Sequence, residues 1–251
     1  MSAYVWSSEA GEFVPRETGP VRLDVADSWR HSDGRAHGLG LHLARFSRAS
    51  GALPEGFVTA MCARIEQGER FPRIARAQDQ LLLDDRPAPP PRTTTRLTYP
   101  LAPDPRTTPL VKGPDFGALA DYRRAYQREG TDDSVIADAH GNLLETTTGA
   151  LVAWVDGELI VPAGTRLPSV TMRQLTDRAT QLGIRVRQMP LTVALAGAHP
   201  LWFLNSLHGI SPVTELHTPT GLISPPAHPL CEQWQAWWWA GFTTVGAAPD
   251  Q

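Results

Sequence analysis

The sequence predicts a mixed α and β fold in two lobes, and three observations support that prediction. Stretches that alternate apolar and polar residues are interspersed with stretches whose apolar residues recur every three or four positions, the periods of strands and helices. Two proline-rich passages, 86–92 and 102–109, interrupt regular structure, and strands with tight turns follow them. Because prolines stiffen a connector, we place a domain boundary near residue 105. The expected domains are a smaller N-terminal one, 1–104, and a larger C-terminal one, 105–251.

The first lobe is predicted to contain both strands and helices. Residues 21–29 alternate as a strand does, and a turn follows them. Residues 41–47 and 57–66 are predicted helices; in the second, the apolar residues fall on one face at a spacing of 3.6. Residues 71–84 are a predicted strand that ends in the run LLLDD. The first lobe is therefore expected to be a small α/β domain.

The second lobe is predicted to begin with a helix from Asp115 or Phe116 to about Gly130. The remaining elements are predicted in the following order: strands at 134–138 and 142–162, a helix from about Val170, strands at 184–190 and 200–207, a strand or loop at 210–217, and a tryptophan-rich helix at roughly 229–240. Trp237, Trp238 and Trp239 are consecutive in that helix, so they cannot all point inward. At least one of them is expected at a surface or an interface.

Composition excludes several classes of function. The chain is 41% hydrophobic and 20% charged, as globular domains are, and its net charge of -3 gives no reason to expect nucleic acid or an anionic membrane as partner. No apolar run approaches the roughly 20 residues needed to span a bilayer, and the N-terminus lacks a secretory signal. Cys62 and Cys231, far apart, fit a reducing cytoplasm. The histidines lack metal-ligand spacing, so no metal is predicted.

One residue stands out from the composition. Lys112 is the only lysine among 23 basic residues, and the other 22 are arginines. An arginine-rich composition can leave one lysine by accident. The alternative is that this position needs an amine, because arginine stays charged at any usable pH and cannot act as an amine nucleophile or form a Schiff base.

Five segments in a characteristic order support the second interpretation. They are LHLARF (41–46), VKGPDF (111–116), TDDSVIADAHGNLLETTTGALVAWVDGELIVP (131–162), LPSVTMRQ (167–174) and FLNSLHGISPV (203–213). In their order and spacing they resemble the class IV aminotransferase family, which includes branched-chain and D-amino-acid aminotransferases and aminodeoxychorismate lyase. The resemblance covers about residues 21–216. It implies the α+β, two-lobed fold type IV of pyridoxal-phosphate (PLP) enzymes, with a small α/β N-terminal domain and a larger C-terminal α/β pseudo-barrel domain.

The resemblance implies PLP as cofactor and assigns residues to it. Lys112 matches the lysine that forms the Schiff base and moves protons. Glu145 matches the glutamate at the pyridine nitrogen, where a carboxylate keeps that nitrogen protonated so that the ring accepts electrons. Around the phosphate, the matching residues are Arg45, Val170, Thr171 and Ser206. An arginine can bind a phosphate bidentately, and a helix start offers free amides.

The resemblance suggests substrate contacts less specifically. The candidates are Ser28, Arg30, His208 and Arg106, of which Ser28 matches a hydroxyl of the lyase group and the arginines could bind a carboxylate. The expected substrate is a small molecule with an amino group. Family members are commonly dimers, so a homodimer is expected, with the tryptophan-rich helix as a candidate contact.

Two departures bear on the reaction. Branched-chain aminotransferases have a tyrosine five residues after the lysine, where this chain has Gly117, and Ala150 replaces an asparagine frequent in the family. Lyase-like members of the family also lack this tyrosine. In addition, residues 205–209 of this chain resemble the corresponding segment of those members, at the end of the strand predicted at 200–207. These differences favour 4-amino-4-deoxychorismate lyase activity, which releases pyruvate and forms 4-aminobenzoate. An amino-acid transaminase of the D- or branched-chain type, a non-catalytic relative and an unrelated binding module remain alternatives.

Overall fold

The computed structural model describes residues 1–245, which form two compact units. The first unit comprises residues 1–90, 111–114 and 239–245, and the second comprises 91–110 and 115–238. Both units contain helices and strands, so the predicted mixed α and β fold is confirmed. Among the described residues, no helix is long and apolar enough to cross a membrane.

The elements of the first unit lie mainly in the first 90 residues. Its strands are β1 (Ser2–Ser7), β2 (Glu12–Pro15), β3 (Val25–Ser28), β4 (His31–Ser32), β5 (Arg35–Ala36), β6 (Glu69–Arg70), β7 (Arg73–Ala77) and β8 (Gln80–Asp85), and its helices are α1 (Leu39–Ser50) and α2 (Phe57–Arg64). An antiparallel sheet has the order β2-β1-β8-β7-β3. The core of this unit packs around Phe13, Trp29, Phe46, Phe57 and Ile74, each at most 1% exposed.

The second unit contains the rest of the regular structure except the last strand. Its strands are β9 (Thr95–Thr98), β10 (Asp133–Ala137), β11 (Leu143–Thr146), β12 (Ala150–Val155), β13 (Glu158–Pro162), β14 (Val186–Met189), β15 (Leu201–Asn205), β16 (Gly209–Thr218) and β17 (Gly221–Ile223). Its helices are α3 (Phe116–Tyr126), α4 (Val170–Gln181), α5 (Val193–Ala198) and most of α6 (Cys231–Ala240). A final strand, β18 (Thr243–Thr244), pairs with β5 in the first unit.

The strands of the second unit close into a ring. The pairing runs β11-β10-β9-β16-β15-β12, and β12 pairs back onto β11. Strand β9 is parallel to both its neighbours, whereas the other pairs of the ring are antiparallel. Apolar side chains from every strand of the ring fill its core, including Leu97, Val135, Leu151 and Phe203. The predicted pseudo-barrel corresponds to this ring.

Several elements differ from their prediction. The strand predicted at 71–84 is a hairpin, because the chain turns at Gln78, whose φ is +54°. The N-terminal hairpin and α5 were not predicted, and the predicted strand at 21–29 is confined to β3. Helix α3 ends at Tyr126 rather than near Gly130. Short elements such as these depend on tertiary contacts more than on local pattern.

The division of the chain also differs from the predicted boundary near residue 105. The chain leaves the first unit after Pro90, and residues 111–114, which contain Lys112, return to it. The reason is a contact with β3: the backbone N–H of Ala26 donates to the carbonyl of Lys112 at 2.6 Å. Gly113 lies so close to that strand that a Cβ atom there would be 2.8 Å from the Ala26 nitrogen. Lys112 thus lies in the first compact unit, whereas the sequence placed it in the C-terminal domain; the domain boundary near residue 105 stays a prediction.

Candidate active site

A buried cluster in the first unit surrounds Asp27, at the centre of β3. The Asp27 carboxylate accepts hydrogen bonds from the backbone of Ser28, from Nδ1 of His42 at 2.7 Å, and from Nε and Nη2 of Arg45, both at 2.8 Å. Asp27 and His42 are fully buried on β3 and α1. The spacing of His42 and Arg45, three residues apart on one helix, directs both side chains toward the same carboxylate.

Charges in this cluster determine its protonation state. Burial alone would raise the pKa of Asp27, but the charges and hydrogen bonds of His42 and Arg45 outweigh it and hold that pKa well below its usual range. Burial lowers the pKa of His42, and the charges of Arg45 and Lys112 lower it further against the attraction of Asp27. The cluster is therefore an ionised aspartate with a neutral histidine, whose Nδ1 carries the proton. Within the described residues, Nε2 of His42 is buried and has no hydrogen-bond partner.

Lys112 lies near this cluster, because its carbonyl accepts a hydrogen bond from the backbone N–H of Ala26, the residue before Asp27. Lys112 and Arg45 thus lie in the same compact unit, and their shared role at a cofactor stays a prediction. Arg45 was expected to bind a phosphate; its Nε and Nη2 bind Asp27 in this structure, and the phosphate role stays a prediction.

The candidate substrate residues Ser28 and Arg30 also belong to the first unit. Oγ of Ser28 accepts a hydrogen bond from Nη2 of Arg86 at 3.2 Å. Arg30 is 1% exposed, and its guanidinium pairs with Glu69 and lies 5.4 Å from the ring centre of Trp239. Arg30 therefore already has a protein carboxylate, and its substrate role stays a prediction.

Sequence reasoning did not single out Arg86, which follows β8. Burial lowers its pKa to about 10, and the nearby charge of Arg73 acts in the same direction. Within residues 1–245 no carboxylate pairs with Arg86; it donates instead to the Phe71 carbonyl and to Ser28. A half-buried cation beside a candidate substrate hydroxyl is suited to contact an anion. No sequence signal distinguishes it from the other arginines, because the environment of an arginine depends on distant residues.

The second unit contains Glu145, on β11. Its carboxylate pairs with Arg106 and accepts hydrogen bonds from the backbone N–H of Leu167 at 3.2 and 3.3 Å. Arg106 also donates to Asp104, and these two carboxylates raise its pKa although burial alone would lower it. Arg106 was predicted to bind a substrate carboxylate; in this structure it binds two carboxylates of the protein. Its substrate role stays a prediction.

The predicted phosphate residues of the second unit lie together. Ser169 caps α4 by accepting a hydrogen bond from the Met172 N–H at 3.2 Å, so the chain enters the helix at Val170 as the sequence indicates. Thr171 is fully buried, and its hydroxyl lies 3.3 Å from that of Ser206 at the end of β15. Two hydroxyls thus meet at a helix N-terminus, where backbone amides and the helix dipole favour an anion. We call these two hydroxyls and the first turn of α4 the hydroxyl cup.

Three further residues that the sequence analysis named lie in the second unit: His208, Ala150 and Gly117. His208 follows the hydroxyl cup in sequence, and its Nδ1 accepts a hydrogen bond from the backbone of Arg92 at 3.1 Å. Ala150 pairs with Glu145 across β11 and β12. Among residues 1–245, nothing lies within 4 Å of a Cβ atom placed at Gly117, so the position of the missing tyrosine is open space in this part of the chain.

The chain belongs to the class IV aminotransferase family, because the profile of amino-transferase class IV matches residues 24–216, most of the chain. The fold is also that of solved aminotransferases. The branched-chain amino acid aminotransferase of T.th., complexed with N-(5'-phosphopyridoxyl)-L-glutamate, has a TM-score of 0.76, 14% identity and 98% coverage of both chains. The branched-chain aminotransferase of Thermoproteus uzoniensis, with norvaline, has a TM-score of 0.78, 14% identity, and 98% and 99% coverage.

A hypothetical aminotransferase from Mycobacterium tuberculosis, in a PLP-bound form, is similar as well, with a TM-score of 0.76 at 17% identity, covering 96% of this chain and 98% of that one. A comparison with curated proteins gave no match. At these identities the structural likeness establishes the fold alone, and it confirms the predicted α+β fold. The predicted family is confirmed by the profile match.

Proposed function

We propose that this chain is a PLP-dependent enzyme that acts on an amino-acid-like substrate through Lys112. The observation that carries the proposal is the arrangement on residues 167–171. The amide of Leu167 binds the Glu145 carboxylate, and four residues later Thr171 contributes to the hydroxyl cup. One short segment thus connects a buried carboxylate with an anion-binding helix start. A cofactor with a phosphate at one end and a basic ring nitrogen at the other fits both groups.

When bound, PLP supplies an aldehyde that reacts with amines and a ring that accepts the electron pair of a broken bond. Lys112 would hold the cofactor covalently in the resting enzyme. Once a substrate amine replaces it, the freed Lys112 amine would take the proton from the carbon that bears the substrate nitrogen. Lys112 is suited to this role because it is the only primary amine side chain in the protein.

Glu145 would accept a hydrogen bond from the protonated ring nitrogen. Its neighbour Arg106 favours the ionised carboxylate, and the Leu167 N–H fixes its orientation. The hydroxyl cup would bind the phosphate through Thr171, Ser206 and the amides of α4. Thr171 and Glu145 are 0% and 6% exposed, so they act where water screens charge poorly.

Among reactions open to such a site, we favour the conversion of 4-amino-4-deoxychorismate to pyruvate and 4-aminobenzoate. The open space at Gly117 and the sequence of residues 205–209 support it. Amino-acid transamination is the second candidate, and the similarity to branched-chain aminotransferases favours it. The two reactions share the proton transfer to Lys112 and differ in what the substrate then releases.

The first test is a titration of the purified protein with PLP, followed by visible absorption. The wild type should develop the band of a lysine-bound cofactor, and borohydride should fix the cofactor on Lys112. Lys112→Arg is the matched control, because it keeps the charge but cannot form the bond. No band in the wild type would overturn the proposal.

Product analysis then separates the reactions. Pyruvate and 4-aminobenzoate from 4-amino-4-deoxychorismate would establish the lyase, whereas a 2-oxo acid formed from an amino acid with amino transfer to the cofactor would establish the transaminase. Cofactor binding with neither product would indicate a non-catalytic relative. We also propose a homodimer in the cytoplasm, as the family resemblance and the two unpaired thiols suggest. Size-exclusion chromatography with light scattering would measure the molar mass in solution and so test the proposed dimer.

A further inference from the structure

The tryptophan-rich helix α6 contacts both elements that form the hydroxyl cup. Trp238, on α6, is 1% exposed, and its Nε1 donates a hydrogen bond to Oε1 of Gln174 at 3.1 Å. Gln174 lies on α4 three residues after Thr171, on the same side of the helix. Trp238 is thus hydrogen-bonded to α4 one helical turn after Thr171.

The same tryptophan ring packs against Gly209, the residue that follows the turn containing Ser206. Gly209 begins β16 directly after the turn that contains Ser206, and a Cβ atom at Gly209 would overlap the Trp238 ring. Gly209 also has a φ of +71°, so glycine is required there for two reasons. The turn itself is fixed by Asn205, whose Oδ1 accepts hydrogen bonds from the backbone N–H groups of Leu207 and His208.

A second residue of α6 fixes the strand that follows the turn. Nε2 of Gln235 donates to the carbonyl of Ile210 at 3.1 Å and to that of Thr93 at 3.0 Å. Helix α6 therefore contacts both residues that follow the Ser206 turn, Gly209 and Ile210. The 3.3 Å separation of the two cup hydroxyls depends on how α4 and this turn are placed relative to each other.

The bond from Trp238 also orients the Gln174 amide. Because Oε1 accepts from the indole, Nε2 is fixed as the donor end of that side chain. Gln174 is 9% exposed, and within the described residues Nε2 is buried without a hydrogen-bond partner. A buried N–H donor without a partner costs free energy, and an anion or a bound water nearby would recover it.

We propose that Trp238 is a positioning residue for the phosphate of the cofactor: it sets the separation of Thr171 and Ser206, and it fixes Nε2 of Gln174, one helical turn after Thr171, as the donor end of that side chain. This inference rests on the proposed function, since it concerns the same site. It gives the C-terminal helix a role in anion recognition, beyond packing.

The test compares the affinities of PLP and of pyridoxal, which lacks the phosphate, by absorbance titration. The ratio of the two dissociation constants measures how much the phosphate contributes. In Trp238→Phe an aromatic ring remains, although a smaller one, and the indole N–H is lost, so this ratio should fall by about threefold to tenfold, the value of one hydrogen bond. Affinity for pyridoxal should stay unchanged, whereas a general loss of structure would weaken both ligands.

Trp234→Phe is the matched control, because Trp234 is a similarly buried tryptophan of α6 whose ring packs against Trp154 and Trp202 instead. Its ratio should equal that of the wild type. Gln174→Met provides a second variant if Trp238→Phe does not fold, and it should lower the ratio likewise.

Two failures remain distinguishable. A wild-type protein that binds neither ligand would overturn the proposed function, whereas one that binds both equally would overturn the phosphate role of the hydroxyl cup and this inference with it. A wild type that prefers PLP, with unchanged preference in Trp238→Phe or Gln174→Met, would overturn the role of Trp238 alone. An equal decrease of the ratio in the Trp234→Phe control would also overturn it.

Discussion

Replacement of Asp27 by asparagine should remove much of the stability of the first unit. The fully buried carboxylate accepts hydrogen bonds from Ser28, His42 and Arg45, and two of them come from the guanidinium. Asparagine keeps one acceptor oxygen but presents an NH₂ group to these donors. The substitution therefore loses bonds and leaves the positive charge of Arg45 largely buried, at 15% exposure, without its partner.

The expected magnitude follows from these contacts. Hydrogen bonds to charged groups contribute about 1.5–3 kcal/mol each, and removal of one partner of a buried ion pair costs about 3–5 kcal/mol. We expect the free energy of unfolding to fall by about 3–5 kcal/mol at pH 7. With a urea dependence of about 3 kcal/mol per molar, the midpoint should fall by about 1–2 M.

The pH dependence supplies an independent check. The pKa of Asp27 is lower in the folded protein than its unfolded value of about 3.9. Its stabilisation is therefore complete above the unfolded pKa and is lost as the pH falls toward the folded pKa. The wild type should lose stability steeply below about pH 4, and Asp27→Asn should lose less. The lowered pKa of His42 contributes separately, as stability lost when the pH falls below about 6.5.

Urea titrations followed by near-ultraviolet circular dichroism would measure both effects. Asp79→Asn is the control, since Asp79 is fully exposed and lies 3.8 Å from Arg76; we expect its midpoint to equal that of the wild type. If Asp27→Asn lowered the midpoint no more than the control does, the cluster would not stabilise the fold, and the reasoning from its contacts would be refuted.

Three further predictions concern other parts of the chain. Ser169→Ala removes the cap of α4 and should lower the free energy of unfolding by about 1 kcal/mol in urea titrations. Burial raises the pKa of Cys231 to about 11 and also raises that of Cys62, so at pH 8 an aromatic disulfide reagent should modify both thiols at least about tenfold faster in urea than in buffer. Gly149→Ala should lower the melting temperature by several degrees, because a Cβ atom there would overlap the ring of Phe203.

Each of these has a clear contrary result. An unchanged unfolding curve in Ser169→Ala would mean that the cap contributes nothing to α4. Rapid modification of either thiol in native buffer would contradict its buried environment. A wild-type melting temperature in Gly149→Ala would show that β15 moves freely away from the added methyl group.

The features that the sequence predicted correctly are those set by neighbouring residues. Helix α4 begins at Val170, as predicted, and α6 spans Cys231–Ala240 within the predicted 229–240. Trp234 and Trp238 are buried, whereas Trp237 is only partly so, as expected for consecutive positions on a helix. Local pattern and the family motifs were sufficient for these.

The features that were not predicted depend on pairs of distant residues. Nothing near Lys112 in sequence indicates that its carbonyl accepts a hydrogen bond from Ala26. Arg106 and Glu145 are 39 residues apart and were given separate roles, yet they form one ion pair. With 22 arginines in the chain, composition cannot say which carboxylate each one binds.

The closed ring of strands constrains the order in which the protein can fold during synthesis. Strand β9 pairs with β10 and also, in parallel, with β16, which ends at Thr218. The ring therefore cannot close until β16 has left the ribosome. In the first unit, β5 likewise pairs with Thr243 and Thr244, which are synthesised long after it. Both units thus contain pairs of strands far apart in the chain, and such long-range pairing is characteristic of slow folding that exposes intermediates to aggregation.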